Sequence, residues 1–268
     1  MPTMDSQRVA GQVARSPMRV LLLGGTTEAS SLARLLAGDT RFDTVLSLAG
    51  RTATPAAQPV AVRVGGFGGI AGLVRHLGDE KVDVMIDATH PYADQMSAHA
   101  VAAARETGVP LASLVRAPWR EQPGDRWQHV ANTESAAMVL GTSPHRVFLG
   151  IGRQELAAFA AAPHHHYVAR VIEAPPADGL PPHITLVQAR GPFDLAAETA
   201  LLRERRIDLV VSKNSGGEAT YAKIAAARAL GLPVVMVARP DKPAGHIVTT
   251  PEDAVAWLDH VAASRRGV

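Results

Sequence analysis

The sequence predicts an α/β protein of two Rossmann-like, parallel-sheet domains with a ligand cleft between them. Three observations carry this expectation. Short apolar runs of strand length alternate with Ala-rich amphipathic segments along the whole chain, which is the pattern of a doubly wound sheet. The two halves repeat each other in order: 83–87 and 102–111 are echoed at 208–212 and 225–234, 130–136 at 248–254, and 19–25 at 146–152. Such ordered echoes favour duplication over chance. Finally, the first apolar run stops at Gly24-Gly25, and Thr26-Thr27-Glu28 then opens a helical segment. Strand, glycine turn and helix N-terminus in that order can cradle a phosphate.

The elements follow from periodicity and punctuation. Strands are expected at 19–24, 43–48, 82–87, 111–115, 146–151, 166–172, 184–189, 207–212 and 233–237. Helices are expected at 28–37, 69–78, 93–107, 153–161, 194–205, 217–230 and 252–263. Residues 1–17 are polar and mixed, and read as a disordered leader. The domain boundary falls near 141–145, giving a nucleotide-binding domain over 18–141 and a second, substrate-binding domain over 142–268. In each half a long Pro/Gly connector, 116–126 or 239–245, precedes a short strand, 127–130 or 246–249. Connectors of that length can reach the other lobe, so exchange of the last strands between the sheets is expected.

Composition narrows the class. With 268 residues, 47% hydrophobic and 19% charged, the chain reads as a globular enzyme. Lys and Arg number 27 against 25 acids, a net charge of +2, too balanced to suggest a nucleic-acid partner. No apolar run reaches spanning length, so no membrane role is expected. Absence of cysteine leaves no disulfide or thiol metal site and fits the cytoplasm. We expect a monomer.

Ligands of open α/β sheets bind beyond the carboxyl ends of the strands, and the notable residues sit there. The second strand leads to Ser47-Leu-Ala-Gly-Arg51, with no acid for a ribose 2′-hydroxyl. A cation there suits a 2′-phosphate, so NADP is expected over NAD. The glycine-rich turn 65–69, containing Gly66 and Phe67, favours close ligand approach over mere flexibility only evenly. Asp87-Ala-Thr-His-Pro-Tyr ends the third strand, turning Thr89, His90 and Tyr92 toward the cleft. Ser212-Lys-Asn-Ser-Gly-Gly is a polar, cationic turn suited to a carboxylate or phosphate. Arg116, Arg120, Arg153, Arg170, Arg190 and Arg239 lie near strand ends and would suit a polyanion. Tyr221 and Lys223 read as helix surface, and His164-His165-His166 as no metal site, since only alternate strand residues share a face.

Five motifs in order, 23–29, 47–51, 65–69, 87–93 and 212–217, together resemble the precorrin-6A reductases of cobalamin biosynthesis over about 18–260. The resemblance implies a two-lobed reductase that uses NADPH to reduce one double bond of the precorrin-6A macrocycle, giving precorrin-6B. It implies NADPH along Gly24, Gly25, Thr26, Thr27, Glu28, Ser47, Arg51, Gly66 and Phe67, with the nicotinamide near Thr89 and His90. The tetrapyrrole would then meet Lys213, Asn214, Ser215, Gly216 and Arg153. The proton could come from His90, Tyr92, Lys213 or water. A metal-free ring is favoured over its cobalt form. Rival readings are a cofactor-free tetrapyrrole enzyme similar in outline to uroporphyrinogen-III synthase, an NADP reductase of another small molecule, and a two-lobed ligand-binding protein like the periplasmic binders.

Overall fold

A computed structural model describes residues 16–50 and 56–265 of the protein. They form two six-stranded parallel sheets, each flanked by helices. The first sheet runs β3 (Ala61–Val64), β2 (Phe42–Leu48), β1 (Met18–Leu23), β4 (Val84–Asp87), β5 (Leu111–Leu114), β12 (His246–Val248). The second runs β9 (Ile184–Gln188), β8 (His166–Val171), β7 (Arg146–Gly150), β10 (Leu209–Lys213), β11 (Val234–Val237), β6 (Trp127–Val130). The first is a 3-2-1-4-5-6 winding, and the second matches it except that its sixth place is taken by β6, which precedes its other five strands; the switch points lie between β1 and β4 and between β7 and β10.

Both sheets are covered on both faces, which explains their apolar central strands. In β1, Val20, Leu21, Leu22 and Leu23 are all buried. One face of that sheet packs on α1 (Thr27–Leu36) and α7 (Pro251–Ser264), the other on α2 (Gly69–Asp79) and α3 (Asp94–Thr107). Thr26 caps α1 by accepting from Ala29 N, and Thr250 forms a capping box with Asp253 on α7. In the second lobe, α4 (Thr133–Met138) and a 3-10 segment (Arg153–Ala161) pack on one face, and α5 (Leu195–Glu204) and α6 (Ala222–Ala229) on the other.

The last strands are exchanged. β6 pairs with β11 (Val234 opposite Trp127, Val237 opposite Val130), and β12 pairs with β5 (Ile247 opposite Ser113). The lobes are thus 127–237 and 18–114 with 246–264. A cut at 141–142 divides the sequence repeat but not the fold, because β6 and α4 lie with the second lobe and β12 and α7 with the first.

The two connectors cross at the turn after β10. The Arg239 guanidinium donates to the carbonyls of Asn214 (2.7 Å), Arg116 (2.8 Å), Ser215 (3.0 Å) and Ala117 (3.2 Å). Asn214 Oδ1 accepts from Trp119 N at 2.8 Å, while its Nδ2 donates to Trp119 O at 3.0 Å. A Cβ on Gly216, at φ +66, would overlap the Ala117 carbonyl.

Three expectations about elements need correction. The helix expected over 217–230 begins only at Ala222, because Gly216 and Gly217 hold φ of +66 and +70, outside the helical region. The segment 153–161 is a 3-10 helix rather than an α-helix. β3 and α4 went unforeseen: β3 is a largely exposed four-residue edge strand, and α4 is six residues long, too short for a helical period to show.

Candidate functional site between the lobes

The carboxyl ends of both sheets open on one cavity of about 790 Å³. Its first-lobe wall includes Gly25, Thr26 and Thr27 after β1 and His90 and Tyr92 after β4; its second-lobe wall includes residues 150–155, Arg170, Lys213 and Lys223.

The two glycine turns that echo each other in sequence differ in what fills them. A Cβ on Gly25, at φ +116, would meet no atom within 4 Å, so the backbone there borders open space at the start of α1. The first amides of a helix have no intrahelical partners, so an anionic group can be held there. On Gly150 a Cβ would come within 2.9 Å of Lys223 Cδ and Cε, and Gly152 N is capped by Glu155 Oε2 at 3.2 Å. Only the first turn is an open cradle. Gly24 serves packing instead, since a Cβ there would overlap Leu46. Thr26 Oγ1 donates to Ala88 O at 2.8 Å, and Thr27 Oγ1 to Glu28 Oε2 at 3.1 Å. The Glu28 carboxylate is held by Arg116 at 2.7 Å, so it bridges to the connector rather than standing as a bare charge in the cradle.

Ser47, Gly66 and Phe67 converge on a residue the motif reading passed over. Arg63 of β3 donates to Ser47 Oγ (3.2 Å), Gly65 O (2.6 Å) and Gly66 O (2.8 Å), and its guanidinium lies 3.9 Å from the Phe67 ring centre. Burial lowers its pKa from the usual arginine value. This cluster stands at the β2–β3 edge, where a Rossmann sheet meets the adenosine ribose. Arg51 lies outside the described residues.

Thr89 is committed elsewhere. Asp87, 1% exposed, accepts from Thr89 N (3.0 Å), Thr89 Oγ1 (2.6 Å) and Ser97 Oγ, and pairs with Lys242 Nζ at 3.3 Å. Lys242 also donates to Thr89 Oγ1 at 3.1 Å. Thr89 therefore faces a smaller cavity of about 220 Å³, with Arg116, Arg239 and Lys242, rather than the large one. His90 Nδ1 accepts from Tyr92 N at 3.3 Å. Burial, then the charges of Arg116, Lys213, Arg239 and Lys242, drive its pKa down to about 3. His90 is thus a neutral imidazole, not an acid.

Tyr92 is an interlobe bracket rather than a proton donor. Its hydroxyl donates to Val237 O at 2.6 Å and accepts from Asn214 N at 2.8 Å, and burial raises its pKa to about 12. Lys213 Nζ sits 4.5 Å from the Tyr92 ring centre and pairs with Glu155 at 2.5 Å. Arg153 pairs with Glu173 at 3.2 Å. Ser215 and Gly216 line the large cavity, but the Asn214 side chain is used wholly on Trp119. Lys223 is a further correction: read as helix surface, it is 3% exposed and lines the cavity wall.

The family model described as "Precorrin-6x reductase CbiJ/CobK" matches residues 19–259. The chain belongs to that family. It is 53% identical over 251 residues to the precorrin-6A reductase of Rhodobacter capsulatus, covering 93% of this chain and 99% of that protein. It is 27% identical over 253 residues to the cobalt-precorrin-6A reductase of Priestia megaterium, covering 89% and 97%. A solved structure described as "CobK precorrin-6A reductase" superposes with a TM-score of 0.87 at 53% identity, covering 91% of this chain and 97% of that one. Membership in this reductase family, with the fold it shares, leaves the synthase-like and periplasmic-binder readings unsupported.

Among the described residues no group of three His, Cys, Asp or Glu side chains could hold a metal, and no helix is long and apolar enough to cross a membrane. Sequence reasoning missed Arg63, Lys242 and Lys223. Arg63 sits two positions before the glycine turn, a signal within reach. Lys242 lies in an irregular connector, and nothing local points to Asp87, which is 155 residues away.

Proposed function

We propose that this protein is an NADPH-dependent reductase that reduces one double bond of the metal-free precorrin-6A macrocycle to give precorrin-6B. The observation that carries this is the cavity itself: an open glycine cradle at a helix N-terminus faces a wall bearing Lys213, Arg153, Arg170 and Lys223. The first wall suits a dinucleotide's phosphates and the second a substrate with many carboxylates. Relatives named for precorrin-6A stand at about half identity and those named for the cobalt form at 27%, which supports the metal-free ring. We read the enzyme as a cytoplasmic monomer without a nucleic-acid partner.

Gly25, Thr26, Thr27 and the backbone of Glu28 would hold the pyrophosphate, and Ser47 with Arg51 and Arg63 the adenosine end. When bound, the reduced nicotinamide supplies a hydride. The protein's own work is to orient two ligands, exclude water between the lobes and stabilise charge. His90, fixed as a neutral ring by Tyr92 N, can donate through Nε2 without adding positive charge. Oxidation of NADPH on addition of precorrin-6A, followed by the macrocycle absorbance, tests the assignment; no oxidation by folded protein would refute it.

Three variants probe the two walls. Arg51→Ala and Arg63→Ala should each cut the preference for NADPH over NADH by about 10-fold or more, since each removes a charge-assisted contact. Binding titrations of both cofactors measure this, and an unchanged ratio in both variants would remove the 2′-phosphate reading. Lys213→Ala should raise the KM for precorrin-6A by about 10- to 100-fold while leaving the Kd for NADPH in place. The change deletes a cation and also frees the Glu155 carboxylate to repel the substrate.

A further inference from the structure

Reducing a double bond needs a proton as well as a hydride, and the residues first considered for it are poorly placed to give one. The Tyr92 hydroxyl is bound on both sides, the His90 ring is neutral, and the Lys213 ammonium is held by Glu155. Lys223 lines the same cavity and is differently arranged. Its stem lies against Gly150 at the end of β7, and Nζ sits 4.7 Å from the Trp119 ring centre. Among the described residues Nζ makes one hydrogen bond, to Thr220 O at 2.8 Å. An ammonium carries three protons, so two are left. Among the described residues no carboxylate forms an ion pair with it. Glu198 faces it from α5 but is bound to Arg170 of β8, and Arg116 faces it from the connector.

We propose that Lys223 is the acid that protonates the macrocycle carbon adjacent to the one that receives the hydride. This rests on the reductase reading above. One carbon of the double bond takes the hydride and its electron pair. The π pair goes to the neighbouring carbon, which forms a C–H bond as one N–H bond of Nζ breaks. Lys223 is left as a neutral amine, recharged from solvent after the product leaves, and the nicotinamide is the only reductant needed.

The surroundings tune the group for this task. Burial, with the charges of Arg170 and Arg116, lowers its pKa to about 7 against the opposing pull of Glu198. An acid near the working pH is the most effective donor, and a bound polycarboxylate favours the charged form that donates. Glycine at 150 leaves the lysine stem room to lie along the wall, where a Cβ would come within 2.9 Å of its Cδ and Cε and push the side chain aside. The matching turn of the second lobe thus holds a buried lysine where the turn of the first lobe is open.

Lys223→Met, with NADPH and precorrin-6A as probes, tests this. It should lower kcat by about 10²- to 10⁴-fold, with the Kd for NADPH unchanged, and the alkaline limb of the pH–rate profile should disappear. Lys223→Arg keeps the charge but cannot release a proton near neutral pH, so it should lose kcat with KM retained. A readout apart from turnover is the stability of the cofactor-free protein. A lysine whose pKa falls on folding binds fewer protons when folded, so between pH 7 and about 10 the wild type should gain stability relative to Lys223→Met as pH rises. Retention of kcat within threefold in both variants, a rise in KM alone, or a stability difference flat with pH would overturn the proposal. If the wild type itself fails to oxidise NADPH with precorrin-6A, the reductase reading falls with it. If the wild type turns over and Lys223→Met matches it, only the proton assignment falls.

Discussion

Gly216→Ala is expected to cost about 3 kcal/mol or more and to lower the melting temperature by roughly 6–12 °C. Two effects combine. An alanine at φ +66 carries left-handed strain of about 1–2 kcal/mol, and its Cβ would overlap the Ala117 carbonyl of the crossing connector. The connector cannot simply retreat, because Arg239 holds the carbonyls of Arg116, Ala117 and Ser215 in one fork. Gly231→Ala is the matched control: its φ is also +66, but a Cβ there meets nothing within 4 Å. Thermal unfolding of the two variants separates strain from collision. If Gly216→Ala melts with Gly231→Ala, the connector does not bear on the β10 turn as described.

Asp87→Ala should cost about 3–5 kcal/mol, chiefly by leaving the partly buried Lys242 ammonium without its carboxylate partner. Asp87 also accepts from Thr89 N, Thr89 Oγ1 and Ser97 Oγ, so three donors are orphaned together. Lys242 belongs to the connector that carries β12 back to the first lobe. The pair therefore pins the returning chain beside the exchanged strand. Because the larger part of the cost is an unpaired charge, the double variant Asp87→Ala/Lys242→Met should be more stable than Asp87→Ala alone. Urea unfolding of the four members of that cycle measures the coupling. A double variant no more stable than Asp87→Ala would mean that the hydrogen bonds, not the ion pair, carry the cost.

These two sites show where sequence reading reaches and where it stops. The glycine turn at 24–25 was legible because strand, turn and cap are contiguous, and the structure keeps them in that order. Strand exchange could be anticipated from connector length, since 116–126 and 239–245 are too long for a tight return. What each motif residue does was harder. Asn214 and Ser215 belong to a polar turn that looks made for a ligand, yet their backbone and amide groups hold Trp119, Arg116 and Arg239. Tyr92 looks like a cleft acid but spends its hydroxyl on the other lobe. A polar residue at a strand end can face a ligand or a neighbouring chain, and local sequence does not distinguish the two.

By itself the sequence determined the alternation of strands and helices, the repeat, the glycine turn before the first helix and the family motifs, because each motif is written in residues close along the chain. Only the tertiary structure decided that β6 and β12 change lobes, that Lys242 answers Asp87, and that Lys223 stands buried behind Gly150 rather than on a helix surface. Those outcomes depend on contacts between segments roughly 70 to 155 residues apart. Helix periodicity marks which face of α6 is apolar, but whether a lysine's amine meets water or a cavity wall is set by what the rest of the chain packs over it.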